Sequence, residues 1–249
     1  MPFCLFLSAY APDGSRRIDG AGLAVHCGTL SGAIPGLNTI VVHVPVLLDP
    51  VDPFLAPDDP PGCVLQLYFE ALADLEAATS GASPLLSLFD PAYLPMLSGC
   101  DWTQQVMVVR TFPVAAGQAQ YGKCVSVAQE TCTYLVGYEG PADDLSAWLA
   151  HYLDSHAPIL TRLPGVRAVE VYTRIDSPSG LPVKRVNDMQ RNKVVFDSVE
   201  ALANSLTSSI RRELRADFSL FPQFRGAAPH YPMLSHTVHL PDACQPVQE

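Results

Sequence analysis

The chain has 249 residues, enough for one large domain or two small ones, and its 48% apolar and 16% charged residues are a globular composition. A formal net charge of −10 with three lysines, Lys123, Lys184 and Lys193, excludes the basic surface that nucleic acid or an anionic membrane requires. No stretch reaches the roughly 18 apolar residues of a membrane span; seven cysteines without a Cys-x-x-Cys pair suit neither a disulfide framework nor a structural zinc site, and point to a reducing cytoplasm.

In chain order, MPFCLFLSAYAP reads as a first β-strand, since no basic residue precedes its apolar run to make it a signal peptide. A helix must lie within DGAGLAVHCGTLSG, weakened by its glycines. After Pro35-Gly36 a strand runs to about Val46, and the Pro-rich LLDPVDPFLAPDDPPG is a loop. Residues 113–131 are the expected joint between two halves, 1–115 and 130–249. CTYLVGYE (132–139) begins the second half as a strand. Leu145, Trp148, Leu149, Tyr152 and Leu153 then mark an amphipathic helix, with Asp143 or Asp144 as N-cap. Beyond the Leu-Pro-Gly turn, VRAVEVYTRI alternates as a strand, a polar loop leads to the strand NKVVFD, and Val199, Leu202, Leu206 and Ile210 share one face of a second helix. Asp197 with Glu200 resembles a capping box for it, and YPMLSHTVHL is the last strand.

The two halves repeat. Pro35-Gly36 and Pro164-Gly165 lie 129 residues apart (164 − 35), as do the prolines ending LFLSAYAP and YLVGYEGP (141 − 12). Glu70 of FEALADL answers Glu200 of VEALANSL at 130, and Met107 of QVMVVRT answers Met233 of YPMLSHT at 126. Four landmarks in one order indicate an internal duplication. Each half reads β-α-β-β-α-β, the ferredoxin-like motif, whose sheet has one face bare of helices. The expected fold is therefore α+β, two ferredoxin-like repeats packed sheet to sheet as a barrel within one chain.

HAPILTRLPGVRAVEV, NDMQRNKVVFDSVEALANSL and RADFSLFPQF, within residues 132–240, resemble the EthD-like branch of the dimeric α+β barrel proteins. The resemblance implies a barrel fold and a range of roles: stress proteins, proteins encoded beside catabolic oxygenases, polyketide cyclases and muconolactone methylisomerases. It also implies chemistry without metal or cofactor. Where the second half has His156, the first has Cys27.

Alternation selects candidate site residues. In the strand after Leu-Pro-Gly, Glu170, Tyr172 and Arg174 form the polar set expected inside the barrel; the alternative is that Glu170 and Arg174, at i and i+4, only pair with each other. By the repeat, His43 faces Tyr172. In the last strand the same reasoning puts His230 and His236 inside and Met233 under the helices, with Arg110 the counterpart of His236. His156 continues the buried stripe of its helix, either capping the Leu-Pro-Gly turn or serving as general acid or base at the barrel mouth. His151, five positions earlier and about 140° around an α-helix, cannot share a metal with it. The catalytic candidates are thus His156, Tyr172, His236 and His43, and the substrate-binding candidates are Arg174, Arg110, Glu170 and His230. They suggest a cofactor-free isomerase, cyclase or lyase acting on a small hydrophobic or aromatic-derived carboxylated molecule. The alternatives are a non-catalytic binding or stress-responsive barrel, or a haem-handling protein. A small-molecule partner is expected; a duplicated chain needs no homodimer to close its barrel, though it leaves one open.

Overall fold

The structure, a computed structural model, describes residues 1–12, 18–54, 59–115 and 129–239. Eight long strands form the sheet: β1 (Phe3–Tyr10), β2 (Leu37–Pro45), β3 (Cys63–Phe69), β4 (Asp101–Phe112), β5 (Gln129–Tyr138), β6 (Ala168–Arg174), β8 (Gln190–Phe196) and β9 (His230–His239). Their order, β1-β3-β2-β9-β5-β8-β6-β4, returns to β1 through a β1–β4 ladder, so the antiparallel sheet closes into an eight-stranded barrel. A two-residue strand, β7 (Lys184–Arg185), runs parallel to β4 outside the ring. Within residues 1–112 the order in space is fourth, first, third, second strand of the half (β4-β1-β3-β2); residues 129–239 give the same sequence as β9-β5-β8-β6. The halves join where β2 meets β9 and where β4 meets β6. Closure pairs each of the eight long strands on both sides.

The helices lie outside. In the first half they are α1 (Gly20–Ser31) and α2 (Leu72–Ala78), followed by two short 3-10 turns. In the second they are α3 (Leu145–His151), α4 (Ala157–Leu160), α5 (Val199–Leu206) and α6 (Ser209–Phe218). Strand alternation sorts the apolar residues into three groups. Leu5, Leu7, Val42, Leu65 and Leu67 pack outward under the first helical layer. Val169, Val171, Val194 and Phe196 pack outward under the second, against Trp148 and Tyr152. Phe6, Val64, Met107, Val109, Leu135, Tyr172 and Met233 fill the barrel itself.

The repeated Pro-Gly turns show why their glycines recur. Gly36 and Gly165 both have left-handed φ, 73° and 77°, a conformation open to glycine at little steric cost. At Gly36 an added Cβ would also come within 2.5 Å of the Asp74 carboxylate. Helix α1 forms despite its glycines because Asp19 caps it, accepting a hydrogen bond from the Gly22 amide at 3.1 Å.

The second half departs from the sequence reading at its helices. The helix predicted over Asp143–His156 does not end at the histidine. It passes from α3 through one π-helical turn (Tyr152–His156) into α4, with Trp148 stacked on Tyr152. The stripe Val199 to Ile210 is broken at Thr207 and Ser208, where Ser208 caps α6. Ser198, not Asp197, caps α5, because Arg167 takes the Asp197 carboxylate. Asp144 caps α3 as expected. Most of the joint expected at 113–131, namely 116–128, lies outside the described residues, as do 240–249 at the end of the second expected domain. No helix among the described residues is long and apolar enough to cross a membrane.

A buried ion pair is among the polar contacts that tie the halves together outside the barrel. Asp52, on the loop after β2, accepts from Arg211 Nε and Nη2 of α6 at 3.0 and 2.9 Å and from Tyr134 Oη of β5 at 3.0 Å. Both charged side chains are buried. Removing one partner strands the other charge, so Asp52→Ala should cost on the order of 3–5 kcal/mol. Urea unfolding at neutral pH checks this, and an unchanged midpoint would show the clasp to be dispensable.

Candidate functional site

The inner faces of β3, β6 and β8 bring four polar side chains into one cluster. Glu170 stands directly opposite Lys193 in the β6–β8 ladder, and Tyr68 reaches them from β3. Three donors converge on Glu170 Oε2: Lys193 Nζ at 2.8 Å, Tyr68 Oη at 2.8 Å, and Tyr172 Oη from beneath. Lys193 Nζ also donates to Tyr68 Oη at 2.7 Å, and the two phenols are 2.7 Å apart. Lys193 lies over the Tyr68 ring as well.

Charge state follows from this packing. Burial alone would raise the Glu170 carboxyl, but the Lys193 charge and the bonds from Lys193, Tyr172 and Tyr68 outweigh it and hold it below the ordinary carboxylate value. Burial, reinforced by the neighbouring Glu170 charge, drives both phenols well above their usual range. At neutral pH the cluster is thus a carboxylate, with two phenols that keep their protons.

His43 forms a second array next to it. Its Nδ1 lies 2.7 Å from Ser235 Oγ and its Nε2 lies 2.7 Å from Gln66 Oε1, while Ser235 Oγ donates to Thr133 Oγ1 at 2.7 Å. Burial, and then the nearby Lys193 charge, push His43 down to about 3 against the opposing effect of its Gln66 bond. The imidazole is therefore neutral.

Above these arrays the barrel is hollow. A cavity of about 270 Å³ occupies the end where β2, β5 and β6 begin and β3, β8 and β9 finish; Tyr68, Glu170 and Lys193 line it, as do Thr133 and Ser235. It lies just below the usual range of ligand sites, roughly 300–1,000 Å³. Tyr172 lies below its floor, edge-on to Phe6, and His43 stands behind Ser235. At the opposite end the Arg191 guanidinium covers Phe6 and pairs with Asp188, leaving a crevice of about 30 Å³.

Of the residues singled out in the sequence, the structure brings Glu170, Tyr172 and His43 together inside the barrel. Arg174 shares their face but emerges at the opposite end, beside Asp176 and the small crevice. The inward assignment of the last strand is reversed. Met233 is inside, and His230 and His236 point outward. The outer side of β9 must cover α1, which needs the apolar Leu234 and Val238, and the histidines share their parity. His236 sits under the start of α1, where a Cβ on Gly20 would come 2.8 Å from its ring; His230 bonds the Ala228 carbonyl beside Tyr134. Arg110 is likewise on the outer face, donating to Thr173 Oγ1 at 2.7 Å. His156 is in the helical layer and not at the barrel mouth. Its Nδ1 meets Asp217 of α6 at 2.8 Å, and the π turn brings His151 Nε2 to the same carboxylate at 3.3 Å. Lys193 and Tyr68, which complete the cluster, were missed. Their signal was parity: Val194 and Phe196 belong under helices, so Lys193, of the opposite parity, turns inward opposite Glu170, and Tyr68 between Leu67 and Phe69 does the same.

No protein-family model matches the sequence, and no curated protein matches it. Among solved structures the chain aligns with an anthrone oxidase-like protein at a TM-score of 0.57 and 14% identity, over 99% of this chain and 96% of that one. It also aligns with two proteins assigned as monooxygenases. The one from Lactobacillus acidophilus gives 0.53 and 10% identity over 96% of each chain. The one from Fusobacterium nucleatum gives 0.55 and 8% over 96% and 95%. At such identities the likeness is one of fold.

Two buried histidines make folding pH-dependent. Burial lowers His156 to about 4 despite its bond to Asp217, and His43 to about 3. Between these values and about 6.5 the unfolded chain binds protons that the folded chain refuses, so stability must fall as pH drops below about 6.5. The urea midpoint should be lower at pH 5 than at pH 7.5, and that difference should shrink in His156→Gln. An equal drop in the variant would remove His156 as a cause.

Proposed function

We propose that the barrel cavity is the active site of a small-molecule enzyme that removes a proton from a small hydrophobic compound, aromatic-derived or carboxylated, as an isomerase, cyclase or lyase does. The convergence of Lys193, Tyr68 and Tyr172 on one oxygen of Glu170, at the wall of the barrel-end cavity, carries this reading. Burying a carboxylate and an ammonium is costly, and such pairs inside a core are weak contributors to stability. A cavity beside them gives the pair a use. Glu170, ionised and touching the cavity, takes a proton from a carbon next to a carbonyl. Lys193 and Tyr68 then donate hydrogen bonds to the enolate oxygen as its charge develops, and Tyr172 holds Glu170 from below. Acid and base are both side chains here, so this step calls on no metal or organic cofactor.

The neighbours' names as oxidase-like and monooxygenase proteins fit the same first step, since a carbanion is also what an oxidase would pass to dioxygen. The matching strand orders and matching Pro-Gly turns support two ferredoxin-like repeats, 1–115 and 130–249, of EthD-like descent. A soluble, cytoplasmic setting suits the composition. Mutual pairing of the four cluster side chains favours a second reading, a barrel that binds its ligand without turnover.

Deuterium wash-in separates the two. With 2-tetralone as an enolisable probe in D₂O, the protein should speed exchange at the carbon next to the carbonyl, evenly from pH 6 to 8 because Glu170 stays ionised. Glu170→Gln should reduce the rate at least about 100-fold. Probe binding with no exchange above the buffer rate would leave the binding barrel.

A further inference from the structure

One wall of the cavity carries five hydroxyl side chains, beside Val41, Asn38 and His239. Thr39 of β2, Ser235 and Thr237 of β9, and Thr131 and Thr133 of β5 all line it. Because β9 lies between β2 and β5, they form one patch across three neighbouring strands, with Thr131 opposite Ser235 in the ladder. Alternation does not demand this. Other inward positions of the barrel carry Phe6, Val64, Met107, Val109, Leu135 and Met233.

The chemistry of the wall restricts what it can hold. A hydroxyl both donates and accepts, so a surface of them matches groups that also do both. It has no charge to neutralise a carboxylate or an ammonium. The charged pair at the side, Glu170 and Lys193, is already self-compensated. The hydroxyls are also held in place: Ser235 is bonded to Thr133 on one side and to neutral His43 on the other, and Gln66 fixes His43 from behind. Flat apolar surface flanks the patch, Val41 on the β2 side and Val195 on the β8 side, with the Tyr68 ring beyond.

We propose that the cavity takes a one- or two-ring aromatic compound bearing at least two hydroxyls on one edge, that edge against β9 and the ring between Val41 and Val195. Thr133, Ser235 and Thr237 select the hydroxyls, and His43 and Gln66 act as positioning residues for Ser235. This deepens the reading of the cavity as the active site and rests on it.

Titration calorimetry with resorcinol, catechol, phenol, toluene and myo-inositol tests the proposal. The two diols should bind about 10-fold tighter than phenol, because a site built to bond a hydroxyl rejects the analogue that lacks it. Toluene and myo-inositol should bind more weakly still. Thr133→Val combined with Ser235→Ala should erase most of the diol preference, and Thr237→Val, a near-isosteric change, should reduce it in a chain that melts like the parent. His43→Gln should weaken diol binding more than phenol binding, a selective effect that loss of folding would not produce. Glu170→Gln should keep the ranking while losing deuterium exchange, so the ligand class and the proton-transfer step fail separately. Binding of toluene or myo-inositol as tightly as catechol, a ranking unchanged in the hydroxyl variants, or no binding by any aromatic probe would overturn the proposal.

Discussion

Glu170 and Lys193 face each other inside a closed barrel, and neither could occupy that interior alone. An isolated ammonium or carboxylate there would lose its water with nothing to replace it, whereas an opposed pair with two phenols supplies both charge and hydrogen bonds. The pair thereby sets the register of β6 on β8. A slip of one residue would turn both charges under the helices, into the space that Val169, Val171, Val194 and Phe196 now fill. The shape of the cavity follows from the same register, because the two charged side chains and Tyr68 prop open a barrel end that apolar residues would have filled.

The two halves use equivalent ladders for different purposes. Val41 lies opposite Gln66 between β2 and β3, as Glu170 lies opposite Lys193 between β6 and β8. One residue pair further along, His43 and Val64 correspond to Tyr172 and Arg191. Two identical halves would have set two carboxylates and two ammonium groups around one small hollow, each needing compensation. The proposed duplication removes that requirement. One half keeps the ion pair, while the other carries an uncharged amide and an imidazole held neutral by burial. A single cavity then has a charged side and a hydroxyl side.

Much of this could be read from residue order. The Pro-Gly turns, the strand elements and the inward face of β6 needed only local rules, because a left-handed glycine and strict alternation leave one solution each. The last strand could not be read in that way. HYPMLSHTVH places polar and apolar residues on both parities, and α1, lying over it in space but some two hundred residues away in sequence, decides which parity is buried against helix. His156 failed for a different reason. Helical periodicity assumes 3.6 residues per turn, and the π turn at Tyr152–His156 shifts the stripe so that His151 and His156 meet one carboxylate. Lys193 was overlooked because a lone lysine in NKVVFD looks like a solvent-facing charge until its cross-strand partner is known.

The hollow occupies one end of the barrel and not the middle because the inward residues change character along its axis. Toward the end where β4 begins, Phe6, Tyr172 and the Arg191 guanidinium stack, and Asp188 compensates the arginine. That stack is bulky, and its polar groups satisfy one another. Toward the other end threonine, serine, alanine and valine line one side and Tyr68, Glu170 and Lys193 the other, and together they leave the barrel unfilled. The floor between these zones is where Tyr172 touches Glu170 and His43 touches Ser235. A group bound above that floor would therefore meet positioned donors on one side and an ionised carboxylate on another, with the closed stack beneath keeping bulk water from reaching the pair through the barrel.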